Sequence, residues 1–260
     1  MKNLKIAQIV PVDCLVETEL NQYHMCLAHL VGRSSRQSEI YTEFYKRMSD
    51  EGKYVLMDNG AAENSQLGFE DLISMYELIN PTEIVLPDVL CNKDETIERT
   101  CNFYSQFKDQ ISKYKIMVVP QGNSFEEWSM CAYELMQHIP VTTIGVSKFL
   151  EMSTGDKTIR TRACEFLRPY DVEIHLLGCS EGPRAVKDAR SANNRVRGCD
   201  SAFTYICAKA GFMSISVNTT RPDGEIDFLR DPAIMSLGRL MREFEITAGV
   251  MDNKVDDTWR

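Results

Sequence analysis

The chain has 260 residues, 43% of them hydrophobic and 26% charged, which suits a soluble globular protein of one large domain or two small ones. No apolar run approaches the roughly 20 residues that a membrane span requires. The first residues, MKNLKIAQIVPVD, lack a signal-peptide core, so a cytoplasmic protein with no membrane partner is expected. The formal net charge of −9 argues against indiscriminate nucleic-acid binding but leaves room for a local basic face.

In chain order, short apolar or β-branched runs recur at residues 4–12, 53–60, 82–90, 114–122, 142–147, 172–179 and 195–201, with a weaker eighth at 212–218, FMSISVN. Between most of them lie segments such as FEDLISMYELI, NKDETIERTCNFYSQFKDQI, SFEEWSMCAYELMQHI and DKTIRTRACEFLRPY. Their apolar residues recur every three or four positions, the spacing of an amphipathic helix. Buried strands alternating with helices predict a parallel sheet covered on its faces. Eight strands in about 220 residues favour a single (β/α)8 TIM barrel over a doubly wound open sheet. Asp231-Pro232 reads as a helix start, so a closing helix is expected over about 231–250, with MDNKVDDTWR beyond it as a frayed end.

Nine cysteines are scattered singly, with no C-x-x-C pair, and only four histidines accompany them. Reduced core thiols are expected rather than disulfides, and no zinc or other cofactor.

One stretch, KYVLMDNGAAE, poses a local question. Asn59-Gly60 is a strong hairpin signal, yet the following residues read as a helix rather than a returning strand. Asp58 is therefore either a turn residue or a carboxylate at the mouth of a barrel. In a parallel barrel the C-terminal strand ends share one rim, where active sites are built. The residues just past each apolar run are Asp58, Asp88, Gln121 with Gly122, Gly145 with Ser147, Gly178, and Asp200 with Ser201. Each could serve as a cap or turn residue. As a set they suggest glycosidic chemistry, in which one carboxylate attacks an anomeric carbon and another shuttles a proton. The glycines would let a flat ligand approach the backbone closely. His175, inside the run EIHLLG, reads as a buried structural residue.

These segments resemble the tRNA-guanine transglycosylase superfamily. MDNGA is similar to its strand-end Asp-Ser-Gly-Gly segment, LPDVL to its base-reading Asp, and VVPQGNSFEEW to its Gln-Gly motif. IGVS, HLLGCSEGP and RGCDSAF are similar to its glycine loop, its His-Tyr-Leu-Met-Gly stretch and its nucleophile segment, all in the family's order from about residue 53 to 205. Two departures stand out. No Cys-x-Cys-x-x-Cys cluster follows Asp200, only Cys207, and the chain is far shorter than the tRNA enzymes. Both resemble the compact phage-encoded DNA 7-deazaguanine transglycosylases.

The resemblance implies that DNA guanine is exchanged for a 7-deazaguanine base, which helps viral DNA evade restriction. Asp200 would be the nucleophile and Asp58 the general acid/base. Asp88 would accept from the guanine edge, Gln121 would donate to the ring carbonyl, and the Gly145 N–H would be a second donor. Gly122 completes the Gln-Gly motif, and Leu177, Gly178 and Cys179 are candidates for the 7-substituent pocket. The implied partners are DNA with a flipped or single-stranded guanine and a free 7-deazaguanine base such as the 7-cyano form; a homodimer is left open. Phosphate contacts are expected from the basic runs around Lys148, Lys157, Arg160 and Arg162 and around Arg184, Lys187, Arg190, Arg195 and Arg197, and from Arg221. Three rivals stand beside this reading: a tRNA-modifying enzyme, a small-molecule barrel lyase, and a non-catalytic nucleic-acid-binding barrel.

Overall fold

The computed structural model describes residues 4–63 and 67–249. Eight parallel strands, β1 (Lys5–Gln8), β2 (Tyr23–Leu27), β3 (Tyr54–Asp58), β4 (Glu83–Val85), β5 (Lys115–Val118), β6 (Thr143–Ser147), β7 (Glu173–Leu177) and β8 (Val196–Ser201), form one sheet. Each of β2 to β7 pairs with the next strand in sequence, and β8 pairs back onto β1. β1 and β2 lie side by side at the seam, so the ring is nearly closed. The fold is a (β/α)8 TIM barrel.

The outer ring contains α1 (Arg36–Asp50), α2 (Phe69–Ile79), α3 (Lys93–Ile111), α4 (Phe125–His138), α5 (Lys148–Thr154), α6 (Ile159–Phe166), α7 (Pro183–Ala192) and α8 (Phe203–Lys209), closed by α9 (Leu237–Ala248). Local sequence sets several starts. The side chains of Ser35, Asn92 and Ser124 accept the N–H groups of Ser38, Glu95 and Glu127, satisfying orphan donors at the first turns of α1, α3 and α4. The buried face of α3 runs through Thr96, Thr100, Phe103, Phe107 and Ile111, the three-and-four spacing of a helix laid on a sheet.

Two expectations are corrected. The eighth strand is not FMSISVN but YHMCL, residues 23–27, all five of them buried. Its His and Cys masked a strand lacking the usual β-branched run. Residues 212–218 find no free edge, because β8 already holds the far side of β1. Instead the Phe212 and Ile215 N–H groups bond to Cys207 O and Glu243 Oε2. The closing helix starts at Leu237, not at Asp231. Asp231 accepts from Lys209 Nζ at 2.7 Å, and its N–H donates to Asp227 O, so it belongs to a turn. The segment expected to fray, residues 251–260, lies outside the described residues.

The barrel interior is polar at its N-terminal end. Glu83 is fully buried and accepts from Thr143 Oγ1 at 2.6 Å, from Tyr54 OH at 3.1 Å and from the Arg197 guanidinium. Arg197 also reaches Tyr54 OH at 2.9 Å and Glu173 at 3.1 Å. A register shift between β7 and β8 skips Arg197: Ile174 pairs with Val196 and His175 with Gly198. Removing one partner of a buried ion pair strands the other charge, which typically costs about 3–5 kcal/mol. Arg197→Leu is therefore expected to lower the free energy of denaturant unfolding by about that amount, with Glu83→Leu added to Arg197→Leu recovering part of it. A loss under about 1 kcal/mol for Arg197→Leu, the range of exposed pairs, would show that the pair carries little of the fold.

Candidate active site

The C-terminal ends of the strands close around a cavity of about 370 Å³. Asp58 is the last residue of β3, Asp200 is the penultimate residue of β8, and Asp88 and Gln121 lie three residues past β4 and β5. All four line this cavity, together with Gly178, Lys148, Arg221 and apolar walls that include Leu27, Val119, Leu177, Phe149 and Phe228. A cavity of this size with a few convergent polar groups suits a small ligand.

Asp88 is the most tightly held group. Its Oδ1 accepts from Asn59 Nδ2 and its Oδ2 from Gln121 Nε2, both at 2.6 Å. Neither amide can turn over without loss. Asn59 Oδ1 accepts the Ala61 N–H at 2.8 Å, and Gln121 Oε1 accepts the Cys91 N–H at 3.1 Å, so each NH₂ group is committed to face Asp88. Cys91 itself sits at φ +58°, in the left-handed region that non-glycine residues avoid. Its carbonyl is held by Asn123 Nδ2 at 2.7 Å. Burial pushes the Asp88 carboxyl up to about 6, and the two amide donors oppose that rise. The result is a fixed acceptor that changes charge just below neutral pH.

Asp58 answers the question its sequence poses on both counts. Its Oδ2 accepts the Gly60 N–H at 2.9 Å, an Asx-type turn made possible by Gly60 at φ +78°. The same side chain lines the cavity, so the turn is what presents it there.

Asp200 accepts from two neighbours, one of them shared between its two oxygens. The Gly178 N–H lies 3.1 Å from both carboxylate oxygens, and His175 Nε2 lies 3.2 Å from Oδ1. Gly178 sits at φ +64°, and a Cβ there would come within 2.8 Å of Lys148 Cδ. A glycine at this position thus serves two contacts at once: the bond to Asp200 and the passage of the Lys148 stem over the backbone.

The remaining expected residues separate by position. Gly122 does not reach the cavity; a Cβ there would strike Glu127 Cβ and Trp128 N at 2.7 Å, so it is the close contact to α4. Gly145 is likewise a packing glycine, facing Leu177, Met117 and Val119. Among the cations, Lys148 and Arg221 line the mouth, while Arg162 and Arg184 are exposed on helices that begin at the same rim. Arg160 and Arg197 are corrections to the expected phosphate set. Arg160 is 6% exposed; it donates to Val146 O and Leu177 O at 2.9 and 3.0 Å and pairs with Glu181, tying the ends of β6 and β7 together. Arg197 is 4% exposed at the opposite end of the barrel. A cation enclosed by its own acceptors cannot meet a phosphate.

Asn59 and His175 fall inside the motifs MDNGA and HLLGCSEGP, yet the motif reading gives neither a part in the site. Asn59 read as half of a turn dipeptide. His175 read as core, although strand alternation puts it on the same face as Leu177. None of the nine cysteines is in a disulfide. Among the described residues no group of three or more His, Cys, Asp or Glu side chains is placed to hold a metal ion, and no helix is long and apolar enough to cross a membrane.

Comparison with protein-family models and with curated proteins gives no match, so the site is read from its own geometry. That geometry makes a ligand-free prediction. The Asp88 carboxyl carbon, followed by ¹³C NMR, should titrate with a midpoint near 6. Asn59→Ala or Gln121→Ala removes a donor to the charged form and should raise that midpoint. A midpoint near the ordinary 3.8 in the wild type would contradict the burial and clamping described above.

Proposed function

We propose that the protein is a DNA-guanine transglycosylase, exchanging guanine in DNA for a 7-deazaguanine base through a covalent glycosyl-aspartate. The observation that carries the reading is the convergence of Asp58, Asp88 and Asp200, from three separate strand ends, on one cavity. The motif resemblance assigns these three residues to acid/base, base-reading and nucleophile roles, and the cavity supplies a common place for them to act.

Asp200 attacks the anomeric carbon of the flipped nucleotide, and the carbon–nitrogen bond breaks with its electron pair going to the purine. Asp58 delivers a proton to the departing nitrogen and becomes a carboxylate. The deazaguanine base enters the vacated place, gives its ring proton to Asp58 and attacks the same carbon, expelling Asp200. Two inversions give net retention. The fixed Asp88 oxygens accept from the ring N–H and the exocyclic amine, a pairing that adenine cannot offer. Mismatched bases leave buried polar groups unpaired, which is how such a site rejects them.

The target base has to leave its stack before the anomeric carbon is accessible. Lys148 and Arg221, which both line the cavity, suit the phosphates flanking such a nucleotide. DNA rather than tRNA is supported by the residues that follow Asp200, where the Cys-x-Cys-x-x-Cys cluster of the tRNA enzymes does not appear. In a viral setting the product would shield DNA from restriction.

Nucleoside analysis of DNA and of tRNA incubated with the protein and a 7-deazaguanine base tests this directly. Exchange into DNA is expected, and it should be abolished in Asp200→Asn with little change in thermal unfolding, because Asn keeps the shape of the side chain. Exchange retained in that variant, or confined to tRNA, would overturn the assignment. Asp88→Ala should weaken guanine binding by about tenfold or more, the scale of losing hydrogen bonds to a charged acceptor. In the wild type the affinity should fall about tenfold between pH 7 and pH 5, because the acceptor becomes protonated below about 6. A pH-independent affinity would remove Asp88 from base recognition.

A further inference from the structure

We infer that His175, itself oriented by Tyr23, is a positioning residue that holds the Asp200 carboxylate in its attacking direction. The inference rests on the transglycosylase reading of Asp200 and goes beyond it, since that reading gives His175 no part.

The geometry is directional. His175 Nε2 lies 3.2 Å from Asp200 Oδ1, and His175 Nδ1 lies 3.0 Å from Tyr23 OH. A carboxylate only accepts, so Nε2 carries the proton; Nδ1 of the neutral ring is then bare and must accept, and the Tyr23 hydroxyl donates to it. Each atom has one role, and the chain of donors runs from Tyr23 through His175 to Asp200. His175 is fully buried, which lowers its affinity for a second proton despite the neighbouring Asp200 charge, and Tyr23 is held protonated by its own burial. The relay is therefore a fixed set of dipoles rather than a titrating switch.

The Gly178 N–H bonds both Asp200 oxygens and so does not choose between them. The His175 bond to Oδ1 alone breaks that symmetry. It occupies one oxygen from within the barrel and leaves the lone pairs of Oδ2 less engaged for attack. An aspartate nucleophile held by one symmetric donor could rotate about its final torsion; the second donor, anchored on the neighbouring strand β7, removes that freedom. A reacting carboxylate held in place contributes to the chemical step and not to base binding.

The test uses full-length protein and separates kcat from KM. His175→Leu and His175→Asn should each lower kcat by about 10- to 100-fold, the scale of a lost hydrogen bond to a charged group. KM for the free base should change less than about twofold. His175→Gln, whose amide nitrogen reaches the place of Nε2, should recover most of the loss, whereas a purely structural role would make Asn and Gln equally damaging. Tyr23→Phe should cost about 3- to 10-fold in kcat and keeps the inference testable if His175→Leu fails to fold. Wild-type kcat in Tyr23→Phe together with no difference between the Asn and Gln variants would overturn it. ¹⁵N NMR of the ring provides a readout that needs no turnover: the Nε2–H tautomer is expected, with a proton shift that moves in Asp200→Ala. The Nδ1–H tautomer would overturn the inference even in an active enzyme. A wild-type protein that exchanges no base but shows the Nε2–H signature would instead sink the transglycosylase reading while leaving the hydrogen bond in place.

Discussion

The buried ion pair between Arg197 and Glu83 is the constraint around which the barrel interior is arranged. Both groups are removed from water, where neither charge is tolerable alone. Their neighbours reflect this: Thr143 and Tyr54 donate to Glu83, and Tyr54 and Glu173 accept from Arg197. Pairs of this kind seldom stabilise a fold more than well-packed apolar side chains would, but they tolerate few alternative arrangements. The Tyr23 ring packs against Tyr54 with centroids 5.1 Å apart, directly over this cluster, and Tyr23 is what orients His175. A polar chain thus runs from the closed end of the barrel to its open mouth.

At the mouth the physical compromise is different in kind. Asp88 is buried and its proton is held up to about 6, whereas an unfolded chain releases it near 3.8. A folded value above the unfolded one means that this group favours the fold most below about pH 4. That contribution is lost as pH rises through about 6, so at neutral pH the ionised carboxylate works against folding by about 3 kcal/mol. The amide donors of Asn59 and Gln121 limit the penalty, and a ligand edge offering two further N–H groups would offset more of it. An acceptor that is uncomfortable when empty is well suited to binding a ligand rich in N–H donors.

Much of this was legible in the sequence because it depends on local periodicity. Strand ends announce themselves where an apolar run stops, and Asp58, Asp88, Gln121 and Asp200 all lie at such points. What was not legible depends on contacts distant in the chain. Nothing near YHMCL says that the Tyr23 hydroxyl will meet His175, 152 positions away, or that its ring will pack on Tyr54 of the next strand, so the segment does not read as a strand whereas FMSISVN does. Arg160 and Arg197 illustrate the same limit for charge. A basic residue near an active strand end reads as a surface cation until its enclosing acceptors, Val146 O and Leu177 O for one and Glu83 for the other, are known. Gly122 and Gly145 read as ligand-approach glycines because sequence cannot tell a close helix or side chain from a close ligand.

The register shift in β8 joins the two ends of the polar chain. Arg197 and Asp200 are three residues apart, and in a regular strand alternation would send them to opposite faces. Either the cation or the carboxylate would then leave the interior. The shift between Ile174 and His175 inserts one extra residue in β8 against β7, which restores both side chains to the inside of the barrel. The seam with β1 is tight beside it: at Gly198 even a Cβ would collide with the Lys5 carbonyl at 1.9 Å. A residue larger than glycine there would push β8 away from β1, loosening the strand that carries both Arg197 and Asp200. The segment RGCD therefore works as one unit: the arginine fixes the base of the barrel, the glycine admits the bulged strand to its neighbour, and the aspartate is thereby delivered to His175 and Gly178.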